Sequence, residues 1–130
     1  MTIIDTNVMV ALLKGSSDTV EKIRELVDKN DRIATTIITV YELLKGANLS
    51  SKRQENLADV REAISNIQVI DLSPEACEEA ANIYCELQKS GKLISEFDIL
   101  IAAIAKTNGE AILTRDKHFR SIMGLDLVKW

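Results

Sequence analysis

Four carboxylates in this chain stand where an apolar run meets the next helix-forming stretch. Asp5 follows Ile3-Ile4, and Glu42 follows Ile37-Ile38-Thr39-Val40. Asp98 opens Ile99-Leu100-Ile101-Ala102-Ala103, and Asp116 closes Ala111-Ile112-Leu113-Thr114. In an α/β chain such positions lie near the carboxyl ends of strands or the mouths of helices, where an open sheet carries its ligand site. Acids gathered there repel one another unless a cation holds them together.

Each acid also has a purely structural reading. Asp5 and Asp116 suit the caps of the helices that follow them. Thr39-Val40-Tyr41-Glu42 and Ser95-Glu96-Phe97-Asp98 both have capping-box spacing. Asp98 departs furthest from that reading. Its helical neighbours Ile101, Ala102 and Ala105 put it on an apolar face, with no arginine close in sequence to pair with it. Periodicity does not single out Glu42: with Val40, Tyr41 and Leu44 read as the buried face of its helix, Glu42 falls largely opposite, as a solvated glutamate would.

The elements that must position these acids alternate along the chain. Strands are expected at Thr2 to Asp5, Arg32 to Thr36, Gln68 to Asp71 and Ala111 to Thr114, with an edge strand at Leu125 to Lys129. Helices are expected at Thr6 to Lys14, along Val20, Ile23, Leu26 and Val27, and at Ile37 to Gly46. Another carries Leu57, Val60, Arg61 and Ile64 after a polar loop at Ala47 to Ser51. Ser73-Pro74 caps a further helix, buried along Ala76, Ala80, Ile83, Tyr84 and Leu87 and ended by Ser90-Gly91-Lys92. Ser95 to Asn108 is apolar nearly all round, as befits a helix in the middle of a domain, and Gly109 ends it. A short helix follows Asp116. Short strands alternating with helices predict an α/β fold with a parallel sheet covered on both faces. Right-handed crossovers then bring Asp5 and Asp116 to one edge, with Glu42 and Asp98 near it.

The bulk composition narrows the class. The 130 residues, 46% hydrophobic and 28% charged with five Gly and one Pro, suit a single domain spanning 1–130. No run approaches the roughly 18 apolar residues of a membrane span, and no signal peptide is evident, so a cytoplasmic protein is expected. Cys77 and Cys85, about 12 Å apart along one helix, are too distant for a disulfide and read as small apolar residues. One histidine, His118, leaves no zinc site of the usual kind. The net charge of −4 argues against a simple basic nucleic-acid binder. A nuclease whose acids hold cations is a partial exception, and Arg115-Asp116-Lys117-His118-Phe119-Arg120 supplies a local rim of cations.

Ile3-Ile4-Asp5-Thr6-Asn7, Tyr41-Glu42-Leu43-Leu44-Lys45-Gly46, Asp98-Ile99-Leu100-Ile101-Ala102-Ala103 and Leu113-Thr114-Arg115-Asp116-Lys117-His118-Phe119 occur in this order. Together they resemble the PIN-domain nucleases of the VapC toxin type, over Met1 to at least Phe119. The resemblance implies a PIN-like three-layer fold, a mostly parallel sheet of four to five short strands flanked by helices. It further implies a Mg²⁺- or Mn²⁺-dependent endoribonuclease with Asp5, Glu42, Asp98 and Asp116 as active-site acids. Asp5, Asp98 and Asp116 are the implied metal ligands, Asp116 being the one most open to replacement in the family. Asn7 and Thr114 match positions that orient the acids or the metal's waters, and Glu96 is an auxiliary acid or a surface residue. Lys45, Arg115 and Lys117 are candidate phosphate contacts. The implied partners are RNA, a cognate antitoxin and a second copy in a homodimer, with no membrane. With only five aromatic residues, base stacking is expected to be minor and recognition to rest on RNA shape.

Rival readings meet obstacles in the same residues. A haloacid-dehalogenase-type phosphotransferase wants an aspartate two residues after the first, where this chain has Asn7, and a response-regulator receiver wants adjacent acids there. An RNA-processing nuclease on the same domain, without a toxin role, shares the chemistry. A non-catalytic α/β interaction module would bind no metal and tolerate Asp5→Asn.

Overall fold

The computed structural model describes residues 1–130. Five strands, β1 (Thr2–Ile4), β2 (Ile33–Thr36), β3 (Gln68–Ile70), β4 (Ala111–Leu113) and β5 (Leu127–Val128), form one sheet in the order β3-β2-β1-β4-β5. Every neighbouring pair is parallel. Six α-helices connect them: α1 (Thr6–Leu13), α2 (Ser17–Asp28), α3 (Ile37–Leu49), α4 (Arg53–Ser65), α5 (Pro74–Lys89) and α6 (Glu96–Thr107), with a 3₁₀ turn at Lys117–Ser121. No helix is long and apolar enough to cross a membrane.

Successive strand residues point to opposite faces of a sheet, and here that alternation builds two cores. Ile3, Ala34 and Ile112 enter one with α5, α6 and Phe119, while Ile4 and Leu113 enter the other with α1, α2, α3 and α4. The three layers expected from the resemblance follow from this division. From Ile99 to Ala105, α6 is buried at every residue except Leu100, as its nearly uniform apolar character predicts.

The chain runs from β1 outward through β2 to β3, then returns to the other side of β1 to lay down β4 and β5. The order therefore reverses between β1 and β4. Crevices open at such a switch point beyond the strands' carboxyl ends, and Asp5 and Asp116 follow these two strands.

Several local expectations need correction. The polar loop expected at Ala47 to Ser51 is shorter, because α3 continues to Leu49 and only Ser50 to Lys52 separate it from α4. The extra turn is possible because Ala47 is buried against the core while Leu49, at the helix end, lies in solvent. The buried face of α3 is Thr39, Leu43 and Ala47 rather than Val40, Tyr41 and Leu44. In α5, Ala76, Ala80, Ile83 and Leu87 are buried as expected, but Tyr84 lies at the surface. Cys77 and Cys85 are free and exposed, each one or two positions off that stripe, so neither acts as a core residue. Val27 and Arg61 likewise face solvent.

Candidate active site

Asp5 is placed by the end of β1 and is only 3% exposed. Its Oδ1 accepts from the Val8 backbone N–H at 2.8 Å, capping α1, and its Oδ2 accepts from the Thr114 hydroxyl. The cap reading is therefore correct for Asp5 and incomplete. Burial raises its pKa above the usual aspartate value; the hydrogen bonds from Thr114 and Val8 oppose that, and the charges of Asp116 and Glu42 add to it.

Thr114 follows β4 and ties two acids together. Besides holding Asp5, its Oγ1 accepts from the Asp116 backbone N–H at 2.9 Å. Asp116 caps the 3₁₀ turn by accepting from the His118 backbone N–H at 2.9 Å, and the same Oδ1 lies 2.8 Å from His118 Nδ1.

Glu42 sits on the second turn of α3, which is capped by Thr36 accepting from the Thr39 N–H at 3.3 Å. Thr39 lies inside the helix, so the capping box expected at Thr39–Glu42 does not form. Glu42 instead turns toward α1, where its Oε1 accepts from the Thr6 hydroxyl at 2.7 Å. Thr6 is also 3.0 Å from the Thr39 hydroxyl. In the sequence Thr6 is only the first residue of the helix expected at Thr6 to Lys14. The period of α3 carries a signal for this arrangement, because Thr39 and Glu42 are three apart and share a face.

Asp98 lies in the first turn of α6, and Ser95 makes no side-chain cap there, so the second expected capping box is also absent. Asp98 is half-buried, and its pKa is pushed up to about 6, first by burial and then by the charges of Asp116, Glu42 and Asp5. Those mutual effects bring all four acids into one electrostatic neighbourhood. None of the four is paired with a lysine or arginine; the imidazole of His118 is the one basic group in contact with them.

The remaining predicted residues are placed less uniformly. Asn7 is exposed and its side chain makes no hydrogen bond to an acid; it lines a surface depression with Arg115, Asp116 and Trp130. Arg115 is held by Asp18 at 2.6 Å and stacks over Trp130, 3.7 Å from the ring centroid. Lys117 is exposed, and Lys45 rests over Tyr41 and Phe97. Glu96 is exposed on a separate groove between α5 and α6.

No three acidic, imidazole or thiol groups converge closely enough to enclose an ion unaided. The donor set nevertheless fits a hard cation that keeps several of its own waters, as Mg²⁺ does. Carboxylates with raised pKa values and no arginine or lysine partner are groups that such a cation would stabilise.

Comparison with known proteins identifies the family and the fold. The PIN domain family model matches residues 2–125. The chain is 30% identical to Ribonuclease VapC2 of Haemophilus influenzae, over 98% of this chain and 96% of that protein. It is 31% identical to the tRNA(fMet)-specific endonuclease VapC of Salmonella typhimurium, with the same shares covered. Among solved structures, VapBC2 from Rickettsia felis bound to a promoter DNA fragment superposes with a TM-score of 0.91 at 27% identity, over 99% of this chain and 98% of that one.

Proposed function

The chain belongs to the PIN domain family, and we propose that its residues 1–130 form one PIN domain acting as an endoribonuclease toxin of a toxin–antitoxin pair. The observation that carries the chemistry is the group of four acids, two with raised pKa values, without a lysine or arginine to balance them. The names of its relatives, ribonuclease and endonuclease, support RNA as substrate.

Asp5, Asp98 and Asp116 would hold Mg²⁺ or Mn²⁺. When bound, such an ion supplies a more acidic water and offsets charge on the phosphate. Thr114 restrains the rotation of the Asp5 carboxylate and fixes the backbone approach to Asp116. Thr6 holds Glu42 by Oε1, leaving Oε2 to take the proton of the attacking water. Attack on phosphorus with departure of the 3′ oxygen leaves a 5′-phosphate and a 3′-hydroxyl. Lys45 and Lys117 are the cations available for phosphate, while Arg115 would have to leave Asp18 to join them.

A groove of about 430 Å³ runs from Thr6 and Glu42 between α1, α3 and α4, past Val10, Leu13 and Val60. It is a fitting seat for an antitoxin segment, with apolar side chains to grip it and an end that brings a basic group to the acids. Solved VapBC complexes among the similar structures support such a partner. A homodimer completes the proposed assembly.

Expression of the wild type beside Asp98→Asn tests the proposal. Growth arrest and RNA cut to 5′-phosphate ends are expected from the wild type alone. Equal cleavage by two folded proteins would show that Asp98 is only a residue of the helix mouth.

A further inference from the structure

Two of the chain's five aromatic residues immediately precede a site acid: Tyr41 before Glu42 and Phe97 before Asp98. The fold brings them together across α3 and α6, with ring centroids 5.6 Å apart and planes inclined at 62°. Tyr41 is 53% exposed, so much of its ring is open to a partner. Lys45, one turn further along α3, places Nζ 5.5 Å from the Tyr41 centroid and 5.1 Å from that of Phe97. No carboxylate lies within ion-pair distance of Lys45.

We propose that Tyr41, Phe97 and Lys45 form a nucleotide subsite in which a base of the RNA next to the cleaved phosphate stacks on Tyr41 while Lys45 meets the adjoining phosphate. The inference rests on the nuclease reading and names residues that determine how RNA is held. An exposed ring backed edge-on by a second ring offers a stacking face with a fixed orientation. A lysine without an anionic partner offers the charge that a phosphate needs. One nucleotide presents both a π-face and a phosphate, and the acids follow directly in both helices. That continuity favours RNA over a second copy of the chain as occupant. A single stacked base is still a minor share of recognition, in keeping with the five aromatic residues of the chain.

Binding of fluorescently labelled 12-nucleotide oligo(A) and oligo(U) RNA, with Ca²⁺ replacing Mg²⁺, tests the subsite without requiring cleavage. Tyr41→Leu keeps an apolar side chain and is expected to weaken binding on the order of ten- to a hundredfold, whereas Tyr41→Phe stays near wild type. Lys45→Gln is expected to make the dependence of log affinity on log salt shallower by about 0.7. An abasic nucleotide at the contacted position is expected to weaken wild-type binding and to have little further effect in Tyr41→Leu. Unchanged binding by Tyr41→Leu, or independent effects of the variant and the abasic nucleotide at every position, would overturn the subsite. Loss of binding that follows loss of a dimer in light scattering would overturn it too, assigning the rings to a second copy. Tight, Tyr41-dependent binding without any RNA cleavage in Mg²⁺ would leave the subsite standing and count against the nuclease reading instead.

Discussion

Asp5 has both carboxylate oxygens engaged by protein donors, one by the Val8 N–H and one by the Thr114 hydroxyl, and so it is held still. Glu42 is held by one oxygen only, through Thr6. Removing that hydroxyl in Thr6→Val is expected to lower kcat roughly tenfold with little change in KM, the worth of a hydrogen bond to a charged group. Steady-state kinetics on a cleaved RNA would measure it, and an unchanged kcat would remove Thr6 from the site. Asp98 makes a prediction about pH. Its folded-state pKa of about 6 lies above the ordinary 3.8, so the folded chain takes up the proton more readily than the unfolded one. Its destabilising effect in the metal-free protein is complete above about pH 6 and is relieved as pH falls through 6 toward 3.8. Asp98→Asn should therefore raise the metal-free Tm at pH 7.5, with the advantage shrinking by pH 5; thermal melts at the two pH values decide this. Asp98 is legible in the sequence because its apolar neighbours leave it without a partner. Thr6 is not, since its bond to Glu42 joins residues 36 apart. The Arg115–Asp18 pair spans 97 residues and is equally hidden.

Helix α6 both fills one core and carries Asp98 at its mouth. Ile101 is fully buried in it, and Ile101→Ala is expected to destabilise the protein by about 2–5 kcal/mol through the cavity it leaves. Ser73 caps α5 by accepting from the Ala76 N–H at 3.0 Å, and it takes no part in the hydrogen bonds of the acids. Ser73→Ala is expected to cost only about 1 kcal/mol and to leave cleavage unchanged. Denaturant melts of the two variants would compare them; an equal cost would mean that α6 packing is not what holds the site. Strands and helices are readable from periodicity and from signals such as Ser73-Pro74. The orientation of α3 is not, because the apolar Val40, Tyr41 and Leu44 suggest a buried face, whereas Thr39 packs inward beside Leu43. Polar residues facing a site mimic a solvent face, and hydrophobicity alone does not separate the two.

For the molecule as a whole, the reversal of strand order between β1 and β4 marks the end of the sheet beyond which Asp5 and Asp116 lie. The residues at or just beyond the ends of β1 and β4, together with α3 and α6, each supply one acid to the group whose charges act on one another. The parallel arrangement is foreseeable from alternating elements, while the order of strands is not, because pairing joins residues as remote as Ile4 and Leu113. Function turns on whether Asp5, Asp98 and Asp116 act as one cation site. Calorimetric titration of Mn²⁺ into the wild type, Asp5→Asn and Asp98→Asn at pH 7.5 addresses that without relying on a particular RNA. Binding by the wild type is expected, with at least about tenfold weaker binding by either variant, the loss of one charged ligand. Equal Mn²⁺ affinity in all three proteins, or no binding by the wild type, would contradict a shared cation site.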